Sequence, residues 1–348
     1  MLKGQTLVVV GAGASSEIGL PTGHALKANI AKLLDIRFED GYRMSSGDHR
    51  ICDALTAHVQ GSGGRDINPH LHAAWRIRNA MPQAISIDNF IDCHQDDDKI
   101  TLCGKLGIVR GILDAERTCS LHVDRHEERR HPNFSALGET WYAALMQLLT
   151  QNCQLSGLPD RLSRVTFVIF NYDRCIEHFL FHSLQNYYDI NESQAANVLK
   201  HLTVYHPYGS VGLLPWQGMT QRVEFGGDAS GNNLLQLAAG IKTFTEGTDP
   251  ESSDIQAIHA KITGASTVLF LGFAYHAMNL NLLQTKPHPK PTSVRYFGTA
   301  FGMSNNDVEL VVEDLVQIAS IASGRISIRN DLTCAKFFRE YWRSLSIA

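Results

Sequence analysis

No two of the seven cysteines stand in a C-x-x-C pair; Cys52, Cys93, Cys103, Cys119, Cys153, Cys175 and Cys334 are scattered along the chain. A zinc ribbon or a redox dithiol needs thiolates at short paired spacing, so neither is supported and no metal is expected. An odd count without regular spacing fits reduced thiols. An excess of positive charge is also missing. A formal net charge of −4 over 348 residues gives no electrostatic footprint for nucleic acid, and no direct binding of it is expected. The one basic cluster, Arg125, Arg129 and Arg130, is interleaved with Asp124, Glu127 and Glu128 and reads as a solvated helix face. Long apolar runs are absent too. Met1 to Thr6 is no basic leader, and Leu7 to Val10 is far shorter than a signal or a membrane span. The expectation is a cytoplasmic protein without membrane association. No internal repeat or low-complexity tract is evident.

Against these absences stands an ordinary globular composition, 44% hydrophobic and 19% charged, which suffices for a sizeable core. Short apolar runs predict strands at Thr6–Val10, Val165–Phe170, Thr203–His206, Thr267–Leu271, Val294–Phe297 and Arg325–Ile328. They are rich in Val, Ile and Phe and do not alternate strictly, as parallel strands covered on both faces should not. Helices are predicted at about Thr22–Leu34, Arg174–Tyr188, Ser253–Thr263, Asn305–Ala322 and Ala335–Ser344. Strand and helix in repeated alternation predict an α/β fold with a doubly wound, Rossmann-like parallel sheet.

The rhythm breaks from about Arg37 to Asp160, where no strand is predicted. Trp141, Leu145, Leu148 and Leu149 recur there at helical spacing. The division expected is a Rossmann-like domain of residues 1–36 and 161–348 with a helical lobe, residues 37–160, inserted. Gly209 to Gly247 reads as a long loop or lid with little regular structure.

The most informative stretch joins the first strand to Gly11-Ala12-Gly13-Ala14-Ser15-Ser16-Glu17-Ile18-Gly19-Leu20-Pro21-Thr22. Glycine permits close approach of the backbone to a phosphate, and free amides favour the anion. The dehydrogenase fingerprint G-x-G-x-x-G is not met, because Ser16 stands where the third glycine belongs and the helix is predicted to start late. No acidic residue ends a second strand to bind a ribose. Hydride transfer is therefore disfavoured, and a tight turn without a ligand is the competing explanation.

Two further motifs end strands, where ligands gather in doubly wound sheets. The first is Phe170-Asn171-Tyr172-Asp173, followed by Glu177; its plainer explanation is a helix cap supplied by Asp173. The second is Val204-Tyr205-His206-Pro207-Tyr208-Gly209-Ser210. Phe270-Leu271-Gly272-Phe273-Ala274-Tyr275-His276 and Phe297-Gly298-Thr299 also finish strands with a glycine.

Gly-Ala-Gly-x-Ser with a following Gly-Leu-Pro, then Asn-x-Asp, then His before Gly-Ser resembles the sirtuin-like NAD-consuming family, and within it the NAD hydrolases of bacterial anti-phage defence. The resemblance implies that Gly11, Ala12, Gly13, Ala14, Ser15, Gly19 and Pro21 wrap the pyrophosphate and the nicotinamide-side ribose. It implies that Asn171 holds the water or a ribose hydroxyl, that Asp173 contacts the nicotinamide amide, and that Gly272 and Phe273, with His276 beside them, border the adenosine half. It also implies a histidine base. Family members place that histidine directly before the glycine, where this chain has Tyr208, so His206 or Tyr208 fills the position; His206 is favoured because a phenol is a poor base near neutrality. Ile85-Ser86-Ile87-Asp88-Asn89-Phe90 resembles a motif of the helical lobe, and packing of Ile87, Phe90 and Ile91 explains it more simply.

The activity implied is hydrolysis of the nicotinamide–ribose bond of NAD to ADP-ribose and nicotinamide, with NAD as substrate, in an effector of antiviral defence. Homo-oligomerisation and a partner ATPase or other regulatory protein are expected by the same analogy. Protein deacylation or ADP-ribosyl transfer, and a non-enzymatic nucleotide-binding subunit, are the alternatives. Deacylases carry Asp-Phe-Arg after the proline and cysteines for a zinc lobe; here Pro21 is followed by Thr22-Gly23-His24.

Overall fold

The computed structural model describes residues 2, 4–124, 130–247, 253–285 and 294–346. Arg125, Glu127, Glu128 and Arg129 of the basic cluster lie outside the described residues. The strands are β1 (Thr6–Val10), β2 (Arg37–Glu39), β3 (Arg43–Ser46), β4 (Val165–Ile169), β5 (Thr203–Tyr205), β6 (Thr267–Leu271), β7 (Arg295–Thr299) and β8 (Ile326–Arg329). Six of them form one sheet in the order β5-β4-β1-β6-β7-β8, and every pairing in it is parallel. Counted along the chain within the sheet, the order is third, second, first, fourth, fifth, sixth. That is the doubly wound Rossmann order, and its reversal falls between β1 and β6.

β1 explains why the sheet forms here. It pairs in register with β4 on one edge and β6 on the other, and all five residues are buried. Leu7 and Val9 enter one core with Ile30 and Ile108, while Val8 and Val10 enter the other with Trp141, Phe179 and Phe338. Apolar side chains are thus required at both parities, which removes alternation from the sequence. Each such side chain contributes roughly 1.5–3 kcal/mol when fully buried, enough to offset the ~1–2 kcal/mol of backbone entropy lost per residue. The helices Gly23–Leu33, Cys175–Tyr188, Ser253–Gly264, Asn305–Ala319 and Cys334–Leu345 lie within a few residues of their expected bounds.

Between the helix Gly23–Leu33 and β4 run the helices His49–Gly61, Asn68–Ala80, Ile87–Asp92, Asp98–Thr118, Trp141–Thr150 and Leu158–Ser163. They are not all that lies there. β2 and β3 form an antiparallel hairpin where no strand was expected. Asp40 and Gly41 both take positive φ at its tip, the geometry favoured by Asp-Gly in tight hairpins. Strands of three and four residues are too short for alternation to reveal them. The stretch from Gly209 to Gly247 likewise holds more structure than a loop. Gly231–Ala239 is a helix that buries Leu234, Leu237 and Ala238, and Phe244–Gly247 forms a further turn. The helix expected from Thr22 runs over Gly23–Leu33, and a further helical turn, Ala12–Ser15, precedes it directly after Gly11.

Candidate active site

In-register pairing of β1, β4 and β6 brings Gly11, Phe170 and Gly272 to one level at the carboxyl ends of the strands. Gly13 N–H donates to the Gly272 carbonyl at 3.0 Å, and Gly272 N–H donates to the Thr299 hydroxyl at 2.9 Å. The two glycine turns touch. A Cβ on Gly272 would lie 1.9 Å from the Ala14 nitrogen, and one on Gly13 would lie 2.9 Å from the Gly272 oxygen. Gly272 also holds φ at +54°, a region that side chains rarely adopt. These glycines are therefore demanded first by turn-on-turn packing. A side chain on Gly13 would meet the neighbouring turn, so packing gives this glycine a structural reason of its own beside the expected approach to pyrophosphate.

From this platform a buried polar cluster is built. Asp173 follows β4 and divides its two oxygens. Oδ1 accepts from the Cys175 amide at 3.1 Å, fixing the start of the helix Cys175–Tyr188. Oδ2 accepts from the Ser15 hydroxyl at 3.0 Å and from Asn171 Nδ2 at 3.2 Å. One carboxylate thus bonds both the first residue of that helix, whose N-cap is Arg174, and the side-chain cluster. His206, just past β5, completes the group: Nδ1 lies 3.3 Å from the Asn171 carbonyl and Nε2 lies 2.8 Å from Glu177 Oε1. Ser15, Asn171, Asp173 and His206, named in the sequence from three different strand ends, are joined by hydrogen bonds.

Electrostatics separates the two candidate bases. Burial disfavours a charged His206, but the adjacent Glu177 carboxylate, the Asn171 carbonyl and Asp173 outweigh it and raise the pKa above the ordinary histidine value. Tyr208 is buried, and its hydroxyl donates to Asn279 Oδ1 at 2.5 Å. Burial, with Asp88 and Asp92 nearby, pushes its ionisation upward and further from neutrality. Its ring packs instead on Phe170, with centroids 5.7 Å apart. Phe273 also packs on Phe170, with centroids 5.1 Å apart.

Several residues not singled out in the sequence hold this site. Glu17 Oε2 accepts from the Trp141 amide at 3.0 Å and Oε1 from the Ala335 amide at 2.8 Å, so one carboxylate anchors two helix N-termini to the glycine loop. Trp141 Nε1 donates back to the Ala14 carbonyl at 2.8 Å. Behind Asp173, the fully buried pair Arg174 and Glu116 ties the helix Asp98–Thr118 to the carbonyls of Val223 and Glu224. Asp88 accepts from the Tyr172 hydroxyl, linking the Ile85–Phe90 motif to the residue between Asn171 and Asp173. Burial raises the Asp88 pKa, the bond from Tyr172 opposing it. Ile87 and Ile91 do pack in the core, as the simpler explanation required. Glu177 was visible as an acidic residue one helical turn after Asp173, the spacing that puts two side chains on one helix face.

Gly19 and Pro21 are not bonded to the cluster. They line a cleft of about 650 Å³ together with Asn29, Lys32, Asp114 and Thr118. None of Asn171, Asp173 and His206 lines that cleft. Volume alone makes it the default binding site, but the groups able to move protons sit in the buried cluster, and chemistry is the better guide. His276 is exposed at the start of the helix Ala277–Leu282.

Among the described residues no group of three or more His, Cys, Asp or Glu side chains is placed to hold a metal, and no helix is long and apolar enough to cross a membrane. No protein-family model matches the chain, and no curated protein matches it.

Proposed function

We propose that this chain hydrolyses NAD at the nicotinamide–ribose bond in a sirtuin-like site. The observation that carries the proposal is the convergence of Ser15, Asn171, Asp173 and His206 into one hydrogen-bonded cluster beside the strand-order reversal. Dinucleotides bind at such reversals in doubly wound sheets. Gly11 to Ser15 lies there and forms the first helical turn after β1.

In the reaction, the electron pair of the bond between the anomeric carbon and nicotinamide passes to the ring nitrogen, and nicotinamide leaves neutral. Water forms the new bond to that carbon and yields ADP-ribose; its proton passes to His206. Asn171 holds the attacking water or the ribose, and Asp173 faces the leaving amide. Positioning supplies much of such an acceleration, and a general base adds about 10²–10⁴-fold. The same reading makes the chain an effector of antiviral defence controlled by assembly or by a partner protein.

Purified protein incubated with NAD, with and without an acetylated peptide, tests it. Nicotinamide and ADP-ribose without peptide are expected. Release that requires the peptide would make the chain a deacylase. Tight NAD binding with no release in either case would leave a nucleotide-binding subunit.

A further inference from the structure

Glu177 serves neither a ladder nor a helix cap. It is buried on the helix Cys175–Tyr188, its Oε1 lies 2.8 Å from His206 Nε2, and its Oε2 has no hydrogen-bond partner among the described residues. Burying a carboxylate oxygen without a partner is costly, and the bond to His206 is the side-chain hydrogen bond that offsets it. His206 is enclosed as well, with 14% of its side chain exposed. The groups facing it are Glu177 from the helix, and Asp173 and the Asn171 carbonyl from the end of β4. All are acceptors or anions. A ring protonated on both nitrogens satisfies both neighbours. A neutral ring can satisfy one, and the charge-assisted bond to Glu177 is the stronger of the two.

We infer that Glu177 is a positioning residue, whose carboxylate orients the His206 ring and retains the Nε2 proton, so that proton exchange with substrate occurs at Nδ1 alone. The inference rests on the proposed hydrolysis only for its kinetic consequences. There, Nδ1 first releases its proton to solvent, then takes one from the attacking water as the oxygen bonds to the anomeric carbon. Nε2–H stays on Glu177 throughout. Without the carboxylate, the neutral ring is free to place its proton on Nδ1, against the Asn171 carbonyl, and Nδ1 is then no base.

The test is a titration of the histidine side chains by proton–nitrogen correlation spectra on the full chain, with His206 assigned by the signal missing from His206→Gln. Wild type is compared with Glu177→Gln, which keeps the shape and an acceptor for Nε2–H but removes the charge. In wild type, His206 titrates above the ordinary histidine range and its neutral form carries the proton on Nε2. In Glu177→Gln the midpoint moves to lower pH. In the kinetic arm, kcat falls at least ~10-fold while the NAD dissociation constant is nearly unchanged. The acid limb of the rate follows the midpoint downward, and Glu177→Asp recovers part of the rate. Equal midpoints in the two proteins, or a neutral wild-type ring protonated on Nδ1, would overturn the inference. If Glu177→Gln does not fold, the wild-type spectrum decides alone, and a midpoint at or below the ordinary range overturns it. Intact NAD beside the expected titration would overturn the hydrolysis and leave the Glu177–His206 pair standing.

Discussion

The amide of Gly13 donates to the carbonyl of Gly272 at 3.0 Å, so the loop after β1 and the turn after β6 are one unit. The sheet order reverses at this junction, and the polar cluster hangs from it through Ser15. Gly272→Ala meets both a positive φ of +54° and a backbone nitrogen 1.9 Å from the new Cβ. Gly13→Ala meets a carbonyl oxygen at 2.9 Å and a Cα at 3.0 Å, which a small shift relieves. Gly272→Ala is therefore expected to destabilise by at least ~2 kcal/mol and Gly13→Ala by less. Chemical denaturation measures both; equal losses would mean that the two turns are not rigidly packed.

Glu116→Ala strands the Arg174 guanidinium, 1% exposed, without its counter-charge. Breaking a buried pair by removing one partner costs about 3–5 kcal/mol. The bonds from Arg174 to Val223 and Glu224 are expected to loosen with it, so proteolysis within residues 209–230 should accelerate along with the lower denaturation midpoint. Unchanged stability would show that the pair is not the anchor.

Acid should unfold the chain through a second set of histidines. His178 is buried against Phe225, and His182 bonds through Nδ1 to His131 Nδ1. Burial, with the neighbouring histidines adding to it, lowers the pKa of His182 to about 4 and that of His178 well below its usual value. Unfolding frees these rings to take protons near the ordinary histidine value of 6.5. Their contribution to stability is therefore complete above that pH and is lost as pH falls toward 4. His206 works in the opposite direction. Its folded pKa is raised, so its contribution is complete below 6.5 and is lost as pH rises through the folded value. Thermal melts at several pH values should show an acid limb beginning near 6, and His182→Phe should shift it to lower pH. An acid limb unmoved in that variant would assign acid unfolding to other groups.

Much of this architecture was legible in Thr6–Val10, Val165–Ile169 and Thr267–Leu271, because strands buried on two faces leave a continuous apolar run. The cluster was partly legible for the same reason, since Asn171 and Asp173 follow such a run, whereas His206 follows the short, half-buried edge strand β5. Glu177 and Glu116 were not assigned roles. Their partners, His206 and Arg174, are 29 and 58 residues away in the chain, and only the fold shows that they meet. The hairpin at Arg37–Ser46 was missed because its signal is the Asp40-Gly41 turn and not its short strands. The helix Gly231–Ala239 was hidden by the polar, glycine-rich chain around it, although Leu234, Leu237 and Ala238 keep helical spacing.

The most direct measurement is nicotinamide released from NAD by wild type and by Asn171→Ala, over a range of protein concentrations. Asn171 contributes one hydrogen bond to Asp173, so its loss should cost only about 1 kcal/mol of stability and leave the fold intact. Wild type is expected to form nicotinamide and ADP-ribose in equal amounts, and folded Asn171→Ala to form neither. Equal turnover by the two proteins, or intact NAD with wild type at every concentration, would contradict the assignment of this cluster as an NAD-cleaving site.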